Sequence, residues 1–353
     1  MAEQATQSGP ISSASVRRAA RRAGLTLVGR DELTLSRRRR GSAFGYVDAK
    51  GRAIPKGPVL RRLKRLAMPP AYEDVRYAAD PTAHLQAIGR DAAGRWQYRY
   101  HPDWERVREL RKARRLARLV DALPRIRRAV ARQLSQHEPT RDFALAAVIE
   151  LVARTAIRPG HEAYAKLRGT RGATTLLKSN VSATGDCVVL TFKGKGGKRI
   201  QKECNAARLV RAIKLLQKLP GNRLFQYRDE SGALCRVTAT QVNVYLREIA
   251  DTKISLKDLR TLLASAAVMD SLARVTPAPS ARARKRQVLE AVRAAADELA
   301  NTPAICRRSY VHDTVVTAFE KGLLERFAAT LKSCRSPAAR ETALAQVVAT
   351  AAL

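Results

Sequence analysis

The spacing of hydrophobic and polar residues changes near residue 101. Before that point, short segments alternate between apolar and polar residues, as in Ala43–Val47 and in residues 95–100. Alternation with a period of two predicts half-buried strands, and the turn Asp48-Ala-Lys-Gly51 after the first segment favours a hairpin. With one helix predicted at residues 61–67, we expect residues 28–101 to form a small β-rich domain.

Beyond residue 101, apolar residues recur three and four positions apart, which predicts helices. The predicted helices cover residues 104–123, 125–134, 143–157, 205–217, 240–250, 256–272 and 281–300. Pro124 is expected to separate the first two, because proline breaks a helix interior, and Thr240 and Ser255 are the expected N-caps. Residues 187–202 alternate on both sides of a glycine-rich turn, which predicts a β-hairpin. The chain is thus predicted to be α+β, with a mainly α-helical domain at residues 102–353.

The strongly basic composition indicates the kind of partner. The 353 residues include 67 Lys and Arg against 31 Asp and Glu, a net charge of +36. Such a charge attracts polyanions, of which nucleic acid is the commonest. A hydrophobic fraction of 45% excludes a disordered basic tail. On charge alone, a basic structural or ribosome-associated protein stays open.

Cysteines, histidines and the first residues exclude several other classes. The five cysteines and five histidines have neither CxxC nor HExxH spacing, so no metal site is predicted. An odd number of cysteines fits a reducing cytosol, and no apolar run approaches the roughly 18 residues of a membrane span. Residues 1–14 are polar, lack a signal-peptide core and are interpreted as a disordered leader. With a short basic helix at 15–23, they form a separate N-terminal segment, residues 1–27.

A tyrosine stands among cations near the C-terminus. Tyr310 closes the segment Asn301-Thr-Pro-Ala-Ile-Cys-Arg-Arg-Ser-Tyr310, and Lys257-Asp-Leu-Arg260 lies upstream of it. A phenol with a pKa of about 10 is a poor nucleophile. Arginines can stabilise the phenolate and neutralise a phosphate under attack. This combination points to cleavage of DNA through a phosphotyrosine bond.

Taken singly, the basic candidates also have structural interpretations. Lys257 and Arg260 share one helix face, which can simply be solvated. Arg158 follows a long apolar helix, where it can complement the helix dipole. Lys195 lies in a glycine-rich hairpin turn, where it can be merely exposed. A P-loop is not indicated, because GxxxxGK[ST] is absent and the segment joins two strands.

Taken together, these segments resemble the type IB DNA topoisomerases, specifically their compact poxvirus-like and bacterial branch. The matching motifs follow family order from about residue 37 to about residue 312: GRDxxGRKQYRYH at 89–101, IRxGxxxY at 157–164, GxTTL at 172–176, FxGK at 192–195, KDxRT at 257–261, and the nucleophile segment at 302–310. The chain departs from the family pattern at four positions. Asn301 replaces the His of the poxvirus enzymes, as in bacterial relatives, and Pro159, His161 and Trp96 are also unlike the expected residues.

The resemblance implies a function. Type IB topoisomerases relax supercoiled DNA by transient single-strand cleavage through a 3′-phosphotyrosyl intermediate, strand rotation and religation, without ATP or metal. The implied roles are nucleophile for Tyr310, stabilisation of the non-bridging oxygens for Arg158, Arg260 and Asn301, general acid for Lys195, and assistance in proton delivery or phosphate positioning for Lys257.

The resemblance also implies how DNA is bound. The expected DNA-binding residues are Arg95, Gln97, Tyr98, Tyr100, Tyr164, Thr174 and Thr175, with phosphate contacts from arginines in 37–40, 61–65 and 106–118. Solvated faces and, for the tyrosines, core packing are the alternatives. The implied fold is a C-shaped clamp on duplex DNA. We expect a monomer without cofactor, membrane association or obligate protein partner, located in the cytoplasm at the nucleoid.

Two other functions share part of this pattern. A tyrosine recombinase shares the Arg/Lys/Arg/Tyr set, but it resembles HxxR at the second Arg, where this chain has Lys257 three residues before Arg260. Its N-terminal domain is usually helical, whereas a β-type domain is predicted here. A non-catalytic basic DNA-binding protein would be expected to lack at least one of the four residues, all of which are present.

Overall fold

The computed structural model describes residues 14–333 and 337–351. The predicted disordered leader lies outside the described residues, apart from residue 14. The chain divides into two compact units, Met1–Arg111 and Lys112–Leu353. Each is described by itself.

The first unit contains an antiparallel five-stranded sheet with two helices and the start of a third. Its elements are α1 (Ala14–Arg22), β1 (Leu35–Arg40), β2 (Ala43–Val47), α2 (Pro58–Arg65), β3 (Glu73–Tyr77), β4 (Leu85–Arg90) and β5 (Trp96–Tyr100). The strand order is β2-β1-β3-β4-β5. Because strand side chains alternate, the sheet carries one apolar cluster around Leu63 of α2 and another around Val28 and Leu33. The β-rich character predicted for this part is confirmed.

The second unit is mainly helical. Its elements are α3 (Pro102–Leu134, which contains the unit boundary), α4 (Arg141–Thr155), α5 (Glu162–Arg168), β6 (Val181–Thr184), β7 (Cys187–Lys193), β8 (Arg199–Asn205), α6 (Ala207–Lys218), β9 (Gln226–Arg228), β10 (Leu234–Arg236), α7 (Ala239–Ala250), α8 (Leu256–Leu272), α9 (Ala281–Glu298), α10 (Pro303–Ser309), α11 (Asp313–Glu320), α12 (Glu325–Ser333) and α13 (Pro337–Ala351). The predicted hairpin is β7–β8, and β6 extends it to three strands. The hairpin β9–β10 and the helices after α9 were not predicted.

Helix α4 lies at the centre of this unit. Ten of its residues are buried, and it packs against α6, α7 and α8. The helix ends at Thr155, and Ala156 adopts a left-handed conformation with φ of 53°. Ala156 and Ile157 stay buried in the core, and Arg158 is the first partly exposed residue after the helix.

The predicted break at Pro124 is wrong, since α3 continues through it. An interior proline removes one hydrogen bond and costs roughly 3 kcal/mol. The apolar stripe nevertheless continues across it, with Leu119, Leu123, Ile126 and Val130 all buried, while Pro124 itself faces outward. Each such burial contributes about 1.5–3 kcal/mol, which outweighs the local loss.

The predicted N-cap at Thr240 is also wrong. Thr238 caps α7 instead: its hydroxyl oxygen accepts from the backbone of Gln241 at 3.2 Å, and the Gln241 side chain accepts from the Thr238 N–H at 2.8 Å. This reciprocal pair satisfies two helix-end donors, whereas Thr240 would satisfy one. The cap of α8 at Ser255 is confirmed, with the Asp258 carboxylate accepting from its N–H at 2.7 Å.

Candidate active site

Arg260 is buried between the C-terminal ends of two helices. Its side chain, on α8, is 1% exposed. Nη1 donates to the carbonyl of Ala156, which caps α4, and Nη2 donates to Leu299, which caps α9, at 3.3 Å. The negative ends of two helix dipoles thus stabilise a buried cation. Burial lowers the pKa of Arg260, and Tyr310 acts in the opposite direction. The alternative of a solvated face is excluded for this residue.

The ring of Tyr310 lies against this guanidinium. The Arg260 Cζ atom is 4.9 Å from the Tyr310 ring centroid, within the range of a cation–π contact. Tyr310 stands at the end of α10, and its backbone N–H donates to Cys306 at 2.9 Å. The phenol ring is half-buried. The sequence places these two residues 50 positions apart, and the fold brings them into contact.

Arg158 binds the segment that follows α9. Its Nη1 donates to the carbonyl of Ala300 at 3.3 Å, and its Nη2 donates to Oδ1 of Asn301. The consecutive residues Leu299, Ala300 and Asn301 therefore accept hydrogen bonds from both arginines. Arg260, and not Arg158, binds the C-terminal end of α4.

Two buried nitrogens in this cluster lack an acceptor among the described residues. They are Nε of Arg260 and Nδ2 of Asn301, whose side chain is 8% exposed. Leaving a buried donor unsatisfied costs about 1–3 kcal/mol, more for a charged group. Both nitrogens are donors of the kind that bind phosphate oxygens. The cluster therefore has the chemistry of a phosphate site.

A short turn holds the backbone of Arg158 in place. In the 3₁₀ turn Ala173–Thr175, the N–H of Ala173 donates to the Arg158 carbonyl at 2.8 Å, and Thr174 donates to Pro159 from both its N–H and its hydroxyl. Thr175 Oγ1 accepts from the N–H of Gly172 at 2.9 Å. Both threonines are buried. They support residues 156–161, the Arg158 loop between α4 and α5, and their contact with DNA stays a prediction.

Position 172 requires a glycine, because the backbone there passes very close to the backbone of residues 158–160. A Cβ added there would lie 2.5 Å from the Gly160 nitrogen and 2.6 Å from the Arg158 carbonyl oxygen. Real side chains do not tolerate such distances to backbone atoms. The GxTTL motif thus has a physical reason for its glycine.

The two candidate lysines are both exposed. Lys195 lies in the 3₁₀ turn between β7 and β8, where Gly196 and Gly197 have φ of 75° and 78°. It lines one pocket together with Arg158, Arg171, Lys202 and Glu298. Lys257 lies one turn before Arg260. Within the described part of the chain its ammonium has no hydrogen-bond or ion-pair partner.

Lys202, which lines the same pocket, was not predicted as a site residue. Burial lowers the pKa of this half-buried lysine, and the carboxylate of Glu298 acts in the opposite direction. The alternation along β8 contained a signal, because Lys202 has the same parity as the buried Ile200 and so faces inward.

The predicted DNA-binding residues of the first unit lie on and beside β5. Asp91 binds Arg95 and Gln97, each at 2.8 Å, and the hydrogen bond from Arg95 is the main cause that lowers the pKa of Asp91 to about 2. Tyr98 stacks on Tyr100 with ring centroids 6.1 Å apart, and both pack against the Val28 cluster. Their contact with DNA stays a prediction.

Two arginines of the predicted phosphate-binding segments donate hydrogen bonds within the first unit. Arg37 donates to the carbonyls of Met68, Pro69 and Tyr72 at 2.7–2.8 Å. Arg62 donates to Gln86 and to two backbone carbonyls, those of Ala78 and Ala79. Donors used in this way stabilise the first unit and are not available to a phosphate.

Two other kinds of feature are absent from the described residues. Among residues 14–333 and 337–351, no group of three or more His, Cys, Asp or Glu side chains comes together. Across the same residues, no helix combines the length and apolarity needed to cross a bilayer.

Comparison with known proteins agrees with the geometry. Residues 102–335 match the family model of the eukaryotic DNA topoisomerase I catalytic core, and residues 43–91 match that of the bacterial DNA topoisomerase IB N-terminal domain. The chain belongs to the type IB DNA topoisomerases. A DNA topoisomerase 1B of Acanthamoeba polyphaga mimivirus is 30% identical over 268 residues, which cover 74% of this chain and 80% of the viral protein.

The predicted family is confirmed, as is the predicted similarity to its bacterial members. The enzyme is a type IB DNA topoisomerase whose substrate is DNA, so neither the recombinase nor the non-catalytic alternative is retained. The first family model spans α3 to α12 and therefore contains the whole cluster around Arg260 and Tyr310.

Proposed function

We propose that this topoisomerase relaxes supercoils through a 3′-phosphotyrosyl intermediate formed by Tyr310. The observation that carries the proposal is the contact between the buried guanidinium of Arg260 and the Tyr310 ring, at 4.9 Å. A fixed cation beside the nucleophile can neutralise the negative charge of the phosphate that Tyr310 attacks. The Tyr310 oxygen attacks phosphorus in line, the bond to the 5′ oxygen breaks, and religation reverses both changes.

The non-bridging oxygens take the charge of the pentacoordinate transition state. Arg260, Arg158 and Asn301 are proposed to bind them. In support, Nε of Arg260 and Nδ2 of Asn301 are buried donors without an acceptor among the described residues. Arg158 holds the amide oxygen of Asn301, which leaves the amide NH₂ as the donor. Backbone carbonyls hold both guanidinium groups, so the two arginines need no reorganisation during the reaction.

Lys195 is proposed as the general acid that protonates the departing 5′ oxygen. It lines the same pocket as Arg158, on a turn whose two glycines allow close approach to the substrate. Lys257 is proposed to assist proton delivery or phosphate positioning from the first turn of α8. ATP does not enter this mechanism, because the covalent bond conserves the energy of the phosphodiester, and arginine side chains take the place of a divalent metal.

Further expectations belong to the same proposal. A monomer would clamp duplex DNA between a β-rich domain at residues 28–101 and a catalytic domain at residues 102–353, in a C-shaped arrangement. Arg95, Gln97, Tyr98, Tyr100 and Tyr164 would contact the duplex, and the cytoplasmic nucleoid would be the site of action. The net charge of +36 supports binding to a long polyanion such as duplex DNA.

Plasmid relaxation tests the proposal. Negatively and positively supercoiled plasmids are each incubated with the enzyme in EDTA without ATP, and the topoisomers are separated. Relaxation of both is expected, because rotation about one broken strand has no preferred sign. Denaturation during the reaction should leave protein on the 3′ end of the cut strand. A requirement for metal or ATP, or protein attached at the 5′ end, would contradict the proposal.

A further inference from the structure

A half-buried arginine outside the catalytic cluster joins two elements next to it. Arg223 lies between α6 and β9, and its side chain is 11% exposed. Its Nη1 donates to the carbonyl of Thr175 at 2.6 Å, and its Nη2 donates to Oε1 of Glu162 at 2.6 Å. Burial lowers the pKa of Arg223, and Glu162 acts in the opposite direction. The mechanism proposed above does not use this residue.

One of the two terminal nitrogens of the forked Arg223 guanidinium, Nη1, is linked to the Arg158 loop through Thr175. Thr175 closes the turn Ala173–Thr175, and its hydroxyl binds both the N–H and the carbonyl of Gly172. The N–H of Ala173 in that turn donates to the Arg158 carbonyl at 2.8 Å. The path from the Arg223 guanidinium to the backbone of a proposed catalytic arginine is therefore a short series of hydrogen bonds through a buried turn.

The other end of the fork holds the first residue of α5. This seven-residue helix, Glu162–Arg168, exposes Leu167 by 77% and Tyr164 by 38%, and the Arg168 guanidinium lies 5.7 Å from the Tyr164 ring centroid. Exposed apolar and aromatic groups flanked by cations form a surface suited to a nucleic acid. The Glu162 carboxylate repels DNA phosphates, so its ion pair with Arg223 does not serve to bind DNA.

We propose that Arg223 is a positioning residue whose coupling of α5 to the turn behind Arg158 holds Arg158 in its catalytic position. The coupling rests on the proposed role of Arg158 at the phosphate. Arginine suits this task because its planar fork reaches two acceptors at once, which a lysine ammonium cannot reproduce. Arg236 also approaches Glu162, at 3.7 Å, but its side chain is 62% exposed and contacts neither Thr175 nor the turn. It is the matched control.

A double-mutant cycle tests the coupling. The rate of covalent adduct formation is measured at saturating enzyme on a duplex with a mapped cleavage site, for Arg223→Ala, Arg158→Ala and the double variant. A misplaced catalytic group can cost up to about 10²-fold, so Arg223→Ala should be roughly tenfold slower. If Arg223 acts through Arg158, the double variant should be no slower than Arg158→Ala. Arg236→Ala should cleave at the wild-type rate.

Two further measurements separate coupling from simple structural support. The Kd for the same duplex should change by less than about twofold in Arg223→Ala, because its effect lies in the cleavage step. Arg223→Lys, which keeps the charge and one donor group, should fold and cleave at an intermediate rate, and its defect should also vanish in the Arg158→Ala background. This variant carries the test if Arg223→Ala does not fold.

The outcomes distinguish the two proposals. Wild-type cleavage by Arg158→Ala would overturn the proposed function, and with it the coupling. If Arg158→Ala is slow while both Arg223 variants cleave at the wild-type rate, only the coupling is wrong. The coupling is equally wrong if the Arg223 and Arg158 defects multiply, or if Arg223 variants lose only DNA affinity.

Discussion

Ser265 hydrogen-bonds to the backbone of Tyr310 and His312 from within the core. Its hydroxyl donates to the Tyr310 carbonyl at 3.1 Å and accepts from the N–H of His312 at 3.1 Å, and the serine is fully buried. Ser265 lies on α8 with Arg260. One helix therefore fixes both the cation over the phenol ring and the chain that carries the ring, so the relative position of Arg260 and Tyr310 is set by a single rigid element.

Ser265→Ala should lower both stability and cleavage. The Tyr310 carbonyl and the His312 N–H would lose their partner in the core, which costs about 1–3 kcal/mol. Urea unfolding should show this loss, and the rate of adduct formation should fall because Tyr310 is less well held. Ser271→Ala, a half-buried serine on the same helix, is the control and should change neither. Equal stability of the two variants would show that the Ser265 hydrogen bonds are unimportant.

Tyr310→Phe should bind DNA but form no covalent adduct and relax no plasmid. The substitution removes only the oxygen that is proposed to attack phosphorus, and the ring stays available for contact with Arg260. Trapping on denaturing gels measures the adduct. Tyr245→Phe alters a tyrosine buried in α7 and should retain trapping. Adduct formation by Tyr310→Phe would overturn the assignment of the nucleophile.

Lys195→Ala should lose roughly 10²–10⁴ in cleavage rate, the usual contribution of general acid catalysis. If the bridging 5′ oxygen is replaced by sulfur, the leaving thiolate needs no proton, so this variant should recover most of its rate.

Arg260→Ala is the comparison, because its stabilising contact with the non-bridging oxygens is lost on either substrate. It should not recover with sulfur. Rescue of both variants, or of neither, would make Lys195 a phosphate-binding residue and leave Lys257 as the next candidate for the acid.

DNA affinity should fall steeply with salt. Each phosphate neutralised contributes about −0.9 to the slope of log K against log salt concentration, and the net charge of +36 allows many such contacts. Binding to a fluorescent duplex is measured between low and physiological ionic strength. An affinity that does not change over this range is incompatible with binding along the phosphate backbone.

Gly172→Ala should slow cleavage without abolishing folding. The added Cβ would collide with backbone at Gly160 and Arg158, so the Arg158 loop has to move. A displacement of about 1 Å can cost up to about 10²-fold in rate. Gly169→Ala, at a nearby glycine where a Cβ meets nothing within 4 Å, tests whether any alanine in this region has the same effect, although its φ of 63° adds strain of its own. A wild-type cleavage rate for Gly172→Ala would show that the loop tolerates the shift.

The elements that were predicted correctly are those whose pattern is local. Helix α8 and the hairpin β7–β8 were predicted because apolar spacing within one segment reports one buried face. The α3 break and the cap of α7 were predicted wrongly, because packing along α3 and a side chain three residues away in Gln241 outweighed the signals of Pro124 and Thr240.

For the site, the sequence by itself determined which residue types are present, their order along the chain, and hence the family. Only the tertiary structure decided what each one contacts. Residues distant in sequence are joined by the burial of Arg260 on two helix ends, its contact with Tyr310, the hydrogen bond from Thr174 to Pro159, and the link from Arg223 to Glu162. Periodicity reports which face of an element is buried, but it carries no information about which distant element covers that face. These contacts depend on how the helices and the hairpin pack, and packing is a property of the whole unit.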